Sequence, residues 1–110
     1  MRQIPIMKPF FDSREAELVA ETLKSGWVAQ GSRVAEFEKL VAAHEGVAYG
    51  IATTSATTAL HLLMREMGFG PGDDVIVPSF TFVATPNAVE YTGATSVLVD
   101  VDPATFNLSI

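Results

Sequence analysis

Six consecutive residues, Thr53, Thr54, Ser55, Ala56, Thr57 and Thr58, place five hydroxyls around one small apolar residue. They follow a short apolar run and precede a helical pattern, a position suited to holding an anion. A helix N-terminus leaves backbone N–H groups unpaired and carries partial positive charge. A phosphate placed there gains hydrogen bonds and electrostatic stabilisation together. The same residue types are ordinary N-caps, and a cap needs no ligand, so both readings stand at this point. Other residues that could do chemistry read more blandly. His44 lies in the last turn of a helical pattern, where the dipole favours a protonated imidazole. His61 borders an apolar stripe, and Met64 and Met67 within it are core fillers. None of these suggests a metal. Residues 68–74 are rich in glycine, but they follow a helix and precede a strand. That is the reverse of the dinucleotide-binding order, which excludes a NAD-binding reading.

The elements that must position these residues follow from periodicity and punctuation. Pro5 and Pro9 make residues 1–11 an extended arm. Asp12 and Glu15 have capping-box spacing, and Ala16, Val19, Ala20 and Leu23 recur at helical spacing as far as Ser25, with Gly26 as the stop. The loop of residues 26–31 holds the only tryptophan, Trp27, read first as a plug over the core and second as part of a binding wall. Ser32 is the expected cap of a second helix ending at Gly46. A buried strand is expected over residues 47–53, and a third helix carries Ala56, Ala59, Leu60, Leu63, Met64 and Met67 as far as Gly68. A second buried strand spans residues 75–78. The next helix is capped by Thr85 with Pro86 at its first helical position, or starts earlier with Ser79 or Thr81 as cap and Pro86 as a distortion, and stops at Gly93. A third strand covers residues 95–101, with Asp100 and Asp102 as turn residues at its exit. Alternation of this kind builds an α/β fold with a mostly parallel sheet, whose ligands bind beyond the C-terminal strand ends. The hydroxyl run and Phe82 are therefore expected to converge on one crevice.

Bulk properties narrow the function. Seven Lys and Arg against 13 Asp and Glu give a net charge of −6, so a sequence-independent grip on nucleic acid or anionic lipid lacks its usual source. There are no cysteines, which excludes disulfides and thiolate metal sites. No segment approaches the roughly 20 apolar residues of a membrane span, so a soluble protein is expected, with the cytoplasm as the default compartment. No repeat, low-complexity tract or linker divides the chain.

With the elements placed, six collinear runs resemble one family. They are Thr22-Leu23-Lys24-Ser25-Gly26-Trp27; Phe37-Glu38; Thr54-Ser55-Ala56-Thr57-Thr58-Ala59-Leu60-His61; Gly70-Pro71-Gly72-Asp73-Asp74-Val75-Ile76-Val77-Pro78; Thr81-Phe82-Val83-Ala84-Thr85; and Val99-Asp100-Val101-Asp102-Pro103. Together they resemble the sugar aminotransferases of the DegT/DnrJ/EryC1/StrS group, within the fold-type I pyridoxal phosphate (PLP) enzymes. The resemblance implies the N-terminal part of the large, PLP-binding domain, a helical arm over residues 1–46 followed by strand/helix units over residues 47–110. It implies that Ser55, Ala56, Thr57 and Thr58 form the phosphate cup, that Phe82 packs against the pyridine ring, and that Trp27 lies near the sugar-nucleotide side. The family more often has Gly at the position of Ala56. Alanine suits a position inside the helix and would be strained at positive φ.

The implied activity is transfer of an amino group, typically from glutamate, to a keto carbon of a nucleotide-linked sugar by a cytoplasmic homodimer. The alternatives are a PLP-dependent sugar dehydratase of the same group and a non-catalytic PLP-binding regulator. A transaminase needs a lysine that bonds to the cofactor and moves the proton. The lysines here are Lys8, Lys24 and Lys39, all before the hydroxyl run, so this segment is expected to hold no catalytic residue of its own. The family places that lysine further along, and the chain stops in mid-pattern, so residues 1–110 are expected to be part of a longer enzyme and inactive alone.

Overall fold

The computed structural model describes residues 4, 5 and 7–109, and the chain divides into two compact units, Met1–Ile51 and Ala52–Ile110. The N-terminal arm falls partly outside the described residues, and residues 4, 5 and 7–11 form no regular element.

The first unit holds α1 (Ser13–Ser25) and α2 (Ser32–Glu45). Helix α1 starts with the capping box its sequence predicts. The Asp12 carboxylate accepts from the Arg14 N–H, and the Asp12 N–H donates to the Glu15 carboxylate, both at 2.7 Å. It ends at Gly26, whose φ of 74° is the left-handed cap that glycine adopts without strain. Helix α2 begins one residue earlier than expected. Gly31, not Ser32, is the cap residue, because its carbonyl already accepts from the amides of Val34 and Ala35 at 3.1 Å. Arg33 pairs with Glu21 of α1 at 2.8 Å and lies 3.6 Å from Glu36. Both partners of each pair are about half exposed, which keeps each contribution under about 1 kcal/mol. The apolar stripes are present in sequence but lie open. Val19, Leu23, Phe37 and Leu40 are all more than half exposed, and Ala42 is the one buried residue of α2.

The strand expected over residues 47–53 does not form. A strand exists through its partner, and the only ladder among the described residues joins two later segments. Val47, Tyr49 and Ile51 are correspondingly exposed.

The second unit comprises α3 (Ala56–Glu66), β1 (Asp74–Pro78), α4 (Ala84–Glu90) and β2 (Thr95–Val99). Strands β1 and β2 are parallel, with Asp74 opposite Thr95 and Pro78 opposite Val99. Helix α4 packs on both strands, and α3 packs on α4. The core sits where they meet: Val77, Val89 and Ala94 are 2–3% exposed, with Met64, Phe69 and Val75 against them. Helix α3 contributes less burial than its stripe suggests, since Leu63 and Met67 stay more than half exposed. Strand β1 is likewise covered on one side only. Period-2 alternation buries Val77 and leaves Ile76 exposed, so the expectation of a strand buried on both faces is corrected. Strand β2 ends at Val99, and Val101 instead bridges Leu108 in antiparallel fashion. Neither start foreseen for α4 is the one observed. Val83 is its cap residue without a side-chain bond, and Pro86 occupies the first turn, where no intrahelical donor is needed. The glycine-rich segment is the turn from α3 to β1, closed by the Asp73 N–H donating to the Gly70 carbonyl at 3.1 Å and the Gly70 N–H donating to the Asp73 carboxylate at 2.9 Å. No helix among the described residues is long and apolar enough to cross a membrane.

Candidate functional site

The hydroxyl run forms the entrance to α3. Ser55 is the N-cap: its Oγ accepts from the Thr58 N–H at 3.1 Å and lies 3.0 Å from the Thr58 hydroxyl. The Thr58 hydroxyl is also 3.2 Å from that of Thr54, and Thr53 donates to the Ser55 carbonyl at 2.9 Å. Four of the five hydroxyls are thus engaged in holding the turn. The half-buried Thr57 hydroxyl and the amides of Ala56 and Thr57 have no hydrogen-bond partner among the described residues. Ala56 takes the first helical position, and Phe106 is the only described non-glycine residue at positive φ, so alanine is unstrained there. Residues 46–65 contain no carboxylate, so none from the adjoining sequence opposes the helix dipole in a chain of net charge −6. The donors left over are therefore neutral: two amides and a hydroxyl at a positive helix end. They fit a phosphate monoester.

Phe82 lies in the segment that leaves β1 and enters α4. The Ser79 N–H donates to the Val99 carbonyl at 2.8 Å, which ties this exit to the C-terminal end of β2. The Phe82 ring is 77% exposed and makes no ring contact among the described residues. It is not a core aromatic in these residues. Two contacts that the sequence reading did not anticipate fix its loop: the hydroxyls of Thr81 and Thr85 meet at 2.9 Å, and Phe80 contacts Phe106 with ring centroids 5.4 Å apart. The spacing of Thr81 and Thr85, four residues apart across a helix start, was the readable signal. No hydrogen bond joins the hydroxyl run to the Phe82 loop among the described residues.

Past β2, Asp102 organises a turn. Its carboxylate accepts from the amides of Ala104 at 2.8 Å and Thr105 at 2.9 Å, which holds it below the ordinary aspartate range. Asp100 accepts from the Ser109 N–H through its backbone carbonyl. Asp102 is the turn former its position suggests, whereas Asp100 instead flanks the antiparallel bridge of Val101 and Leu108.

In the first unit, Trp27 is 64% exposed, so it does not plug a core there. Its indole Nε1–H donates to the Gln30 carbonyl at 3.0 Å, and the ring lies directly over Gly31, where an added Cβ would come within 2.5 Å of Nε1. Glu21, Arg33 and Glu36 line the same hollow, of about 340 Å³. Lys8, Lys24 and Lys39 are all exposed and all in this unit. His61 is half-buried in the second unit, edge-on to Tyr91 with centroids 5.5 Å apart.

Comparison with known proteins gives these features a context. The family model of the DegT/DnrJ/EryC1/StrS aminotransferase family matches residues 9–110. GDP-perosamine synthase of Caulobacter vibrioides is 49% identical over 107 residues, covering 96% of this chain and 29% of the relative. The UDP-4-amino-4-deoxy-L-arabinose–oxoglutarate aminotransferase of Shewanella sediminis is 40% identical, over 90% of this chain and 26% of its own length. Among solved structures, Streptococcus pneumoniae Spr1654, described as a sugar aminotransferase, superposes in its PLP form with a TM-score of 0.87 at 35% identity, over 98% of this chain and 28% of that one. The same protein is also known in a PMP form. The chain thus spans between a quarter and a third of the length of the relatives it matches.

Proposed function

We propose, for a chain that belongs to the DegT/DnrJ/EryC1/StrS aminotransferase family, that residues 55–58 hold the phosphate of PLP. We further propose that Phe82 stacks on the cofactor's pyridine ring and that the whole protein transfers an amino group from glutamate to a keto carbon of a nucleotide-linked sugar. The observation that carries the cofactor reading is the pair of amides at Ala56 and Thr57, with the Thr57 hydroxyl, left without partners at the start of α3. When bound, PLP supplies an electron sink for labilising bonds at the amino-bearing carbon. The chain's own residues position it. Ser55 spends its side chain on the Thr58 N–H and so keeps the turn closed, while Thr57 and the free amides donate to the phosphate oxygens. The Phe82 ring covers one face of the heterocycle and keeps water from it.

The substrate reading follows the relatives, whose names specify GDP-perosamine and a UDP-linked aminoarabinose. Trp27 is proposed to contact the substrate and not the cofactor. The covalent lysine is proposed to come from another part of the whole protein, since Lys8, Lys24 and Lys39 all precede the cup. The protein is proposed to act as a cytoplasmic homodimer.

The test is a PLP titration of the full-length apoprotein by absorbance. Thr57→Ala is expected to weaken PLP affinity at least about tenfold, the loss of a hydrogen bond to a charged group. Phe82→Ala is expected to weaken it as well. Unchanged affinity in both variants would sink the assignment. Incubation with glutamate and a nucleotide-linked keto sugar should release 2-oxoglutarate, and no release with any such sugar would overturn the transferase reading.

A further inference from the structure

No ring contact among the described residues aims Phe82. Its ring is 77% exposed, touches no other ring, and follows the backbone of residues 79–83. That backbone has little regular support. Helix α4 is seven residues long, and its cap residue Val83 supplies no side-chain bond. Two side-chain contacts fill the gap, one spanning the ring in sequence and one just before it. Thr81 and Thr85 join hydroxyl to hydroxyl at 2.9 Å, with Thr85 half-buried in the first turn of α4, so the link spans Phe82 and fixes the loop to the helix. Phe80 rests on Phe106 at 5.4 Å with the rings tilted by 36°.

Phe106 is held in place at a cost. It is the one described non-glycine residue at positive φ, 58°, a conformation that L-residues other than Asn and Asp seldom adopt. The turn that forces this conformation is closed by Asp102, whose carboxylate takes the amides of Ala104 and Thr105 and whose carbonyl takes the Phe106 N–H at 2.8 Å. A strained residue persists only where its surroundings over-determine it, and here they deliver an aromatic ring onto Phe80.

We infer that Thr81 and Phe106 are positioning residues for the Phe82 ring: the hydroxyl link and the ring contact together clamp the loop from β1 to α4 at the orientation Phe82 needs. This inference rests on the reading that Phe82 stacks on PLP. Neither residue touches the cofactor; each acts through the loop.

The test uses the full-length protein, with PLP affinity of the apoprotein read by titration in a double-mutant cycle. Thr81→Val keeps the shape of threonine and removes the hydroxyl, Thr81→Ser keeps the hydroxyl, and Phe106→Ala removes the ring. Thr81→Val and Phe106→Ala are each expected to weaken PLP binding roughly threefold to tenfold, about the size of one net hydrogen bond or ring contact. Thr81→Ser should stay within about twofold of the parent, the spread expected of a retained bond. In a Phe82→Ala background the effects of Thr81→Val and Phe106→Ala should vanish, since no ring is left to aim. Equal losses in both backgrounds would show that the residues support the fold alone and would overturn the inference. So would no loss in the parent background while Phe82→Ala itself weakens binding. If Phe82→Ala leaves affinity unchanged, the stacking reading fails and this inference falls with it, a result separable from the other two. Melting of each apoprotein accompanies the titrations. A variant that melts like the parent yet binds PLP more weakly only when Phe82 is present is the outcome that a purely structural role cannot produce.

Discussion

Gly31→Ala isolates the placement of Trp27 from every other effect at that turn. Gly31 has φ of −174°, an extended value open to any residue, so the substitution introduces no backbone strain. What it introduces is one methyl group, 2.5 Å from the indole Nε1 and 2.8 Å from Cδ1. The ring must retreat by about 1 Å to regain van der Waals distance. The hydrogen bond from Nε1 to the Gln30 carbonyl, 3.0 Å long, does not survive a shift of that size. Losing it costs about 1 kcal/mol. The ring is already 64% exposed, so the contact it still makes is worth at most about 2 kcal/mol, and only part of that is lost. A fall in stability of about 1–2 kcal/mol is expected, small beside the change at the ring itself. Trp27 is the only tryptophan in these 110 residues, so its fluorescence reports on this loop directly. Emission should move to longer wavelength and quenching by acrylamide should rise. On the proposed contact of Trp27 with substrate, the Michaelis constant of the full-length protein for a sugar nucleotide should rise while PLP affinity stays put. An unchanged spectrum and unchanged quenching would refute the close approach of indole and Gly31.

Three other substitutions probe the second unit. Ala56→Gly places glycine at the first position of α3, where φ is not positive; stability should fall by less than about 1 kcal/mol with no gain in PLP affinity, and tighter binding would contradict the placement. Val77→Ala, at a residue 2% exposed, should cost about 2 kcal/mol in denaturant unfolding, whereas Ile76→Ala on the open face should cost far less. Asp102→Ala should melt lower than the parent at pH 7. The amide of Ala104, then that of Thr105, depress the folded pKa of Asp102. The stabilisation is therefore present above the unfolded value of about 4 and is lost as pH falls through the depressed one. The two melting curves should converge as pH falls through the depressed value, and a gap that widened in acid would reverse the sign of this argument.

Features written in local chemistry were readable without coordinates. The capping box of Asp12 and Glu15, a hydroxyl cap before α3, the stops at Gly26 and Gly46, and the turn role of Asp102 each depend on a few neighbouring residues, and each is present; the stop expected at Gly93 is not, since α4 ends at Glu90 with Tyr91 as its cap residue. The features that went unread depend on distant partners. Residues 47–53 have the composition of a strand, yet no ladder reaches them from the described residues, and composition cannot supply a neighbour. The start of α4 was hidden because Thr81 and Thr85 read as rival caps, whereas in the structure their hydroxyls meet each other and leave Val83 at the cap. Gly31 read as loop punctuation; its reason is the indole above it, a contact that no periodicity encodes. At the cup, the residue types were enough to place hydroxyls at a helix start. Which of them are spent and which remain free emerged only from the distances around Thr58.

The left-handed conformation of Phe106 sets two evolutionary pressures against each other. Glycine at 106 would release roughly 1–2 kcal/mol of backbone cost and so favour folding, while deleting the ring that meets Phe80. A library sorted for expression or heat resistance should drift toward Gly or Asn at this position, and one sorted for turnover should keep an aromatic. Comparing the two outcomes would reveal at a single codon how much stability this chain gives up to keep one side of its loop rigid.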